Sequence, residues 1–170
     1  MNINDYNDPK NSLVLFGLDS KLDFLIELYN LKKLPKVLMI SGKKGVWKFT
    51  LINHFLTYVY DKDNYDLINK SINNETQFYK QYLNNIFPNI IYLSGSNFKN
   101  VKIEDIRDLK STILKTNILK KERFIILDDI ELFNINSLNA LLKIIEEPSS
   151  NNYFVLINNK TKPLIETIYS

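Results

Sequence analysis

The sequence predicts an α/β fold: a parallel sheet of short buried strands with helices on both faces. Three observations carry that reading. Short apolar runs at 37–41, 90–93, 124–127 and 153–157 alternate with longer stretches of helical periodicity, the order that builds parallel strands joined by crossover helices. The first run leads directly into a loop with two glycines and three lysines, GKKGVWKF (Gly42–Phe49). The third closes in two aspartates, FIILDD, and is followed by SLNALLKIIEEP.

Taken in order, residues 19–33 read as a helix with Leu22, Leu25, Ile26 and Tyr29 on one face. Val37–Ser41 is the first strand, and a helix is expected over 45–60. His54 falls inside that helix as a structural residue. Residues 61–74 are polar, rich in Asn and Asp, and read as a surface insertion; residues 75–86 read as a helix. The second strand, 90–93, is followed by the loop SGSNFKN and a helix near 103–116. After the third strand, Leu138, Leu141, Leu142 and Ile145 recur at i, i+3, i+4 and i+7, one apolar stripe facing a sheet. Asn136 or Ser137 is expected to cap this helix, and Pro148 to end it. No repeat and no linker divides the chain, so 1–170 reads as one domain.

Composition excludes several classes. No run of about 18 apolar residues is present, which argues against a membrane span. The start, MNINDYNDPK, lacks a basic and apolar export pattern, so the cytoplasm is the expected location. With no cysteine there is no disulfide, no thiolate metal site and no zinc expected, and one histidine, His54, cannot build a metal site alone. The net charge of +3 does not announce nucleic-acid binding, and only Arg107 and Arg123 among 22 cationic residues are arginine.

The loop Gly42–Phe49 compares with the phosphate-binding pattern G-x-x-x-x-G-K-[ST]. Gly42, Gly45 and Lys48 keep its frame, with Lys48 where an ammonium meets β- and γ-phosphates. Trp47 stands where the pattern has glycine, and Phe49 where it has the hydroxyl that ligates Mg²⁺. Thr50 comes one residue late, turned by about 100° on a helix. Weak ATP or ADP binding through Lys48 and the helix N-terminus is compatible with such a loop; efficient hydrolysis is not. Asp128 and Asp129 carry two readings. They are the cation-holding and water-polarising acids of an ATPase strand end, with the second one methylene short of Glu, or they cap the strand end and the next loop.

Together these stretches resemble the AAA+ module of bacterial clamp-loader subunits, a three-layer P-loop NTPase fold, over about residues 17–170. The matching segments are LPKVLMISGKKGVWK, FPNIIYLSGS with VKIEDIRDLK, FIILDDIELFNINSLNALLKIIEEP and YFVLINNKTKPLIETIYS. The resemblance implies a five-stranded sheet of which this stretch holds four strands. The first strand, 37–41, is then left with an unpaired edge and the isolated stretch with marginal stability; lid and collar domains lie outside it. It implies a sensor-1 asparagine at Asn158 or Asn159, with Asn158 taken first. Lys102 and Arg107 become candidates for DNA phosphate contact, against the alternative of a solvated helix face. Asn139, Lys143, Glu146 and Glu147 become candidates for a subunit interface.

Within the family, motor subunits of gamma/tau type carry an intact loop, an Asp-Glu pair and a four-cysteine zinc module. This sequence is more similar to the delta-prime type. That implies a stator without zinc or hydrolysis, assembled with gamma/tau and delta subunits in a heteropentamer that loads the sliding clamp on primed DNA. An active AAA+ motor, a P-loop kinase with an Arg-rich lid and an interaction module without nucleotide stand as alternatives.

Overall fold

Each of the four apolar runs forms a strand. The structure is a computed structural model that describes residues 9–96, 106, 108, 110–111, 122–146 and 151–164. The elements are α1 (Asp19–Asn30), β1 (Val37–Ser41), α2 (Lys48–Tyr60), β2 (Tyr65–Asp66), β3 (Ser71–Ile72), α3 (Gln77–Leu83), β4 (Ile90–Ser94), β5 (Arg123–Asp128), α4 (Ile135–Ile145) and β6 (Asn152–Asn158). Ile106, Asp108, Lys110 and Ser111 are helical as well. No helix among the described residues is long and apolar enough to cross a membrane.

The chain divides into two compact units. One, the sheet unit, comprises residues 35–46 and 88–170; the other, the helical unit, comprises residues 1–34 and 47–87.

In the sheet unit β1, β6, β5 and β4 lie side by side in that order, all parallel. Among the described residues β1 is an edge strand, paired with β6 alone. Val37 pairs with Phe154, Ser41 with Asn158, and Ser94 with Asp128. This register brings the carboxyl ends of the strands to one rim, where ligands of open α/β sheets bind. Alternate residues Ile125, Leu127, Phe154 and Leu156 build one core with Ile106, Ile130, Phe133, Leu138 and Leu141. Their neighbours Phe124, Ile126, Val155 and Ile157 are equally buried, so β5 and β6 are apolar on both faces, as parallel strands are.

In α4, Leu138 and Leu141 are fully buried and Ile144 and Ile145 pack beside them, while Leu142 is only half-buried. The apolar stripe is therefore turned slightly from the expected one. The cap differs too: Asn134, not Asn136 or Ser137, accepts a hydrogen bond from Ser137 N (2.9 Å). Asn134 carries the extended backbone of an N-cap, whereas Ser137 is buried within the first turn.

In the helical unit Leu22, Ile52, Phe55 and Leu56 form the centre of the core, and Tyr29 meets Phe55 edge to face at 5.9 Å. His54 is structural, as expected: fully buried, with Nδ1 3.0 Å from Tyr65 Oη and Nε2 3.0 Å from the Ser12 carbonyl. Burial pushes its pKa down to about 4, against a smaller opposing effect of that carbonyl.

Two expectations need correction here. Residues 61–74 are not simply a surface insertion: Tyr65 and Ile72 are buried, and β2 and β3 form an antiparallel hairpin. That hairpin is extended by residues 13–15 through Ile72 N to Leu13 O and Leu15 N to Lys70 O. The second concerns α2, which begins at Lys48 rather than 45. Gly45 (φ +87°) and Trp47 (φ +55°) both adopt left-handed backbone, which a right-handed helix cannot include.

Candidate functional site

The carboxyl rim of the sheet unit collects a polar cluster. The buried sequence RFIILD drives β5 to the centre of the sheet and delivers Asp128 at its end. Asp129 then takes left-handed backbone (φ +49°), its amide bonds Asp128 Oδ1 at 2.8 Å, and a 3-10 turn over Ile130–Leu132 follows.

Protein donors surround both acids. Tyr92, on the adjacent β4, donates its hydroxyl to Asp128 Oδ2 at 3.0 Å. Asn159 Nδ2 bridges Asp128 Oδ1 (3.1 Å) and Asp129 Oδ1 (2.7 Å). Ser94 Oγ reaches Asp129 Oδ2 at 3.4 Å. Glu131, buried, accepts from Asn159 N (3.1 Å), Thr161 N (3.2 Å) and Thr161 Oγ1 (2.8 Å). The Glu131 carboxylate thus anchors the turn after β6 and sets the position of Asn159.

The electrostatics follow from this enclosure. Burial raises the Asp128 carboxyl above its ordinary range, and the neighbouring Asp129 charge adds to the rise. The Asp129 amide, Tyr92 and Asn159 oppose it by hydrogen bonding to the carboxylate. Burial, then the Asp128 charge, likewise raises the Tyr92 phenol, which therefore stays protonated and remains a donor.

Gly95 completes the rim and was not singled out by its sequence. A Cβ at this position would stand 2.5 Å from Asp129 O and 2.9 Å from Leu132 Cβ. Its amide bonds Asp128 O at 2.9 Å. Only glycine permits the loop after β4 to pass so close to the carboxylate turn.

Of the sequence-derived site residues, the sheet unit brings Asp128 and Asp129 together. Asn158 points elsewhere: its Oδ1 accepts from Lys160 N at 2.8 Å, and its neighbour Asn159 meets the acids. Gly42 N bonds Asn158 O at 3.1 Å, which ties the start of the glycine loop to β6. In the helical unit Lys48 opens α2 and is buried. Thr50, also buried, has no hydrogen-bond partner for Oγ1 among the described residues and lines a cavity of about 130 Å³ with Trp47, Phe16 and Val14. Trp47 is 62% exposed.

On α4, Asn139 and Lys143 are exposed and line a cavity of about 360 Å³ with Ile106 and Lys110, and Glu146 is exposed at the helix end. Lys102, Arg107 and Glu147 lie outside the described residues.

Every contact of Asp128 Oδ1 and Oδ2 named above is to a protein donor. The residue after the loop lysine is Phe49, which has no oxygen to offer. The rim is arranged to satisfy its own acids.

A family model described as DNA polymerase III, delta subunit, matches residues 18–170. The DNA polymerase III subunit delta' of Pseudomonas aeruginosa is 35% identical over 72 residues, 42% of this chain and 22% of that protein. Its counterpart in Buchnera aphidicola is 32% identical over 78 residues, 46% of this chain and 23% of that protein. In Haemophilus influenzae the figures are 30% over 83 residues, 49% and 25%. The matched stretches thus span a quarter or less of these relatives. Among solved structures, a DNA polymerase III gamma subunit-related protein of Thermotoga maritima superposes with a TM-score of 0.52 at 19% identity, over 85% of this chain and 42% of that one. That likeness is one of fold.

Proposed function

The chain belongs to the DNA polymerase III delta-subunit family, and from that premise we propose that it is a clamp-loader subunit of delta-prime type. It serves DNA replication in the cytoplasm as a stator: it takes its place in a ring with gamma/tau and delta subunits, which opens the sliding clamp and sets it on primed DNA. It does not hydrolyse ATP. The observation that carries the last point is the carboxylate rim, whose acids are occupied by Tyr92, Asn159 and the Asp129 amide. Trp47 and Phe49, standing where the phosphate-loop pattern has glycine and a hydroxyl residue, support the same reading from the sequence.

The chain's own residues then have binding and positioning roles. Lys48, at the start of α2, is the group that would meet a phosphate, beside helix amides that favour an anion. Asn139, Lys143, Glu146 and Glu147 are candidates for the contact with a neighbouring subunit, and Lys102 and Arg107 for DNA phosphates.

The test is reconstitution of the chain at its natural length with the other clamp-loader subunits of the same genome. Clamp loading that requires the chain, is unchanged by Lys48→Ala, and occurs with no ATP turnover by the chain alone is the expected result. DNA-stimulated hydrolysis by the chain alone, abolished by Lys48→Ala, would instead make it a motor. Titration with a fluorescent ATP analogue separates a stator that still binds nucleotide from one that does not.

A further inference from the structure

One side of α4, beside its buried Leu138 and Leu141, borders a cavity of about 360 Å³ in the sheet unit. Asn136, Asn139, Ala140, Lys143 and Ile144 line it at the i, i+3, i+4, i+7 and i+8 spacing of one helical face. Ile106 and Lys110, one helical turn apart, line it from the other side of the chain. The volume is at the lower end of the range of ligand pockets, about 300–1,000 Å³.

Its lining is of two kinds. Ile106 is buried in the sheet core, and Ala140 and Ile144 pack against the same core, so the apolar part is fixed in place. The polar part is Lys110, Asn136, Asn139 and Lys143, all exposed. Among the described residues none of these four side chains has a hydrogen bond or an ion pair. No carboxylate among the described residues lines the cavity. Two cations from separate helices therefore share one cavity without a counter-charge in it, and an anion placed there relieves their repulsion.

The apolar part narrows the choice of anion. A nucleic-acid phosphate satisfies the lysines and gains nothing from Ile106, Ala140 and Ile144. A protein segment with an aliphatic residue beside carboxylates uses both parts of the lining. The asparagine amides, which donate and accept, match the backbone of such a segment.

We propose that this cavity receives an acidic and aliphatic segment of another clamp-loader subunit. Lys110 and Lys143 pair with its carboxylates, and its aliphatic side chain rests on Ile106, Ala140 and Ile144. This rests on the clamp-loader reading above and names the chemistry of what α4 meets.

The experiment is assembly of the full-length chain with its cognate clamp-loader subunits, followed by interferometry across a salt series. Lys110→Glu together with Lys143→Glu should weaken assembly by about 100-fold at low salt, because like charges then face each other. Lys110→Arg together with Lys143→Arg keeps both charges and should stay within about threefold of wild type. Asn139→Trp fills the cavity without changing its charge and should weaken assembly about tenfold. The thermal midpoint of each variant alone should not move, since these side chains are exposed. The 170 residues contain no cysteine, so Asn139→Cys gives them one attachment point for a photo-crosslinker. The cross-linked peptide, identified by mass spectrometry in the assembled complex, should carry Asp or Glu beside Leu, Ile or Val.

Assembly within twofold of wild type for the folded Lys110→Glu, Lys143→Glu variant overturns the proposal while leaving the clamp-loader reading intact. A cross-link to a segment without acidic residues, or to a second copy of this chain, does the same. So does a loss confined to the binding of a primed DNA duplex by the assembled complex, which assigns the lysines to phosphates. Failure of the wild-type chain to assemble overturns the clamp-loader reading and the proposal together.

Discussion

The lysine loop departs from the phosphate-binding pattern in its residue types, whereas the carboxylate rim keeps its two acids and differs in what they touch. In the loop the departure is substitution: Trp47 and Phe49 replace the small and hydroxyl residues that phosphate and magnesium require. At the rim the acids remain, and Tyr92, Asn159 and the turn backbone hydrogen-bond to them. The substitutions are plain in the sequence, and the partners of the acids are not. A retained acid is therefore weak evidence for retained chemistry until its partners are known.

Four outcomes would sharpen or break this contrast. The largest expected effect is at Gly95. Gly95→Ala sets a methyl group 2.5 Å from Asp129 O, so the rim must move, at about 3 kcal/mol by urea denaturation. A loss under about 1 kcal/mol would mean that the carboxylate turn is looser than described.

The second is acid sensitivity in the other unit. The folded-state pKa of His54 is pushed down to about 4 by burial, against about 6.5 in an unfolded chain. Between these values the unfolded chain binds the extra proton, so stability falls as pH falls from 6.5 toward 4. The loss approaches about 3 kcal/mol. Denaturation midpoints across that window in wild type and His54→Gln measure it, and the dependence should flatten in the variant.

The third distinguishes two adjacent asparagines. Asn159→Ala removes the donor bridging two carboxylates and should cost about 2 kcal/mol. Asn158→Ala removes one bond to a backbone amide and should cost about 1 kcal/mol. The reverse order would return Asn158 to the rim.

The smallest effect is a gain. Asp128→Asn removes a half-buried charge whose carboxyl is already raised above its ordinary range, and should stabilise the chain by about 1 kcal/mol at neutral pH. A raised carboxyl protonates in the folded state before it does in the unfolded one. The advantage of the variant therefore shrinks as pH falls through the raised pKa. Destabilisation by Asp128→Asn, together with added magnesium stabilising the wild type and not the variant, would restore the cation-holding role.

Most of the fold was legible because its signals are local. The four strands stand out as β-branched and aromatic runs between polar breaks, and α4 as an apolar stripe. The start of α2 was misplaced because Trp47 adopts a left-handed backbone, a conformation that residue type gives no warning of. The hairpin at 65–72 was missed because only Tyr65 and Ile72 mark it among polar neighbours. At the site, Asp128 was readable from its place after a buried run. Tyr92, Gly95 and Glu131 were not, since each acts across the sheet on a residue distant in sequence.

The register of β1 also bears on how this protein is made. Val37 finds its partner in Phe154, and β6 leaves the ribosome long after β1. At about 5–20 residues per second of translation, β1 waits on the order of ten seconds for that partner. During this interval VLMIS is an apolar segment with open backbone groups. Chaperone capture of the nascent chain should thus be strongest after β1 emerges and should subside once β6 has been synthesised.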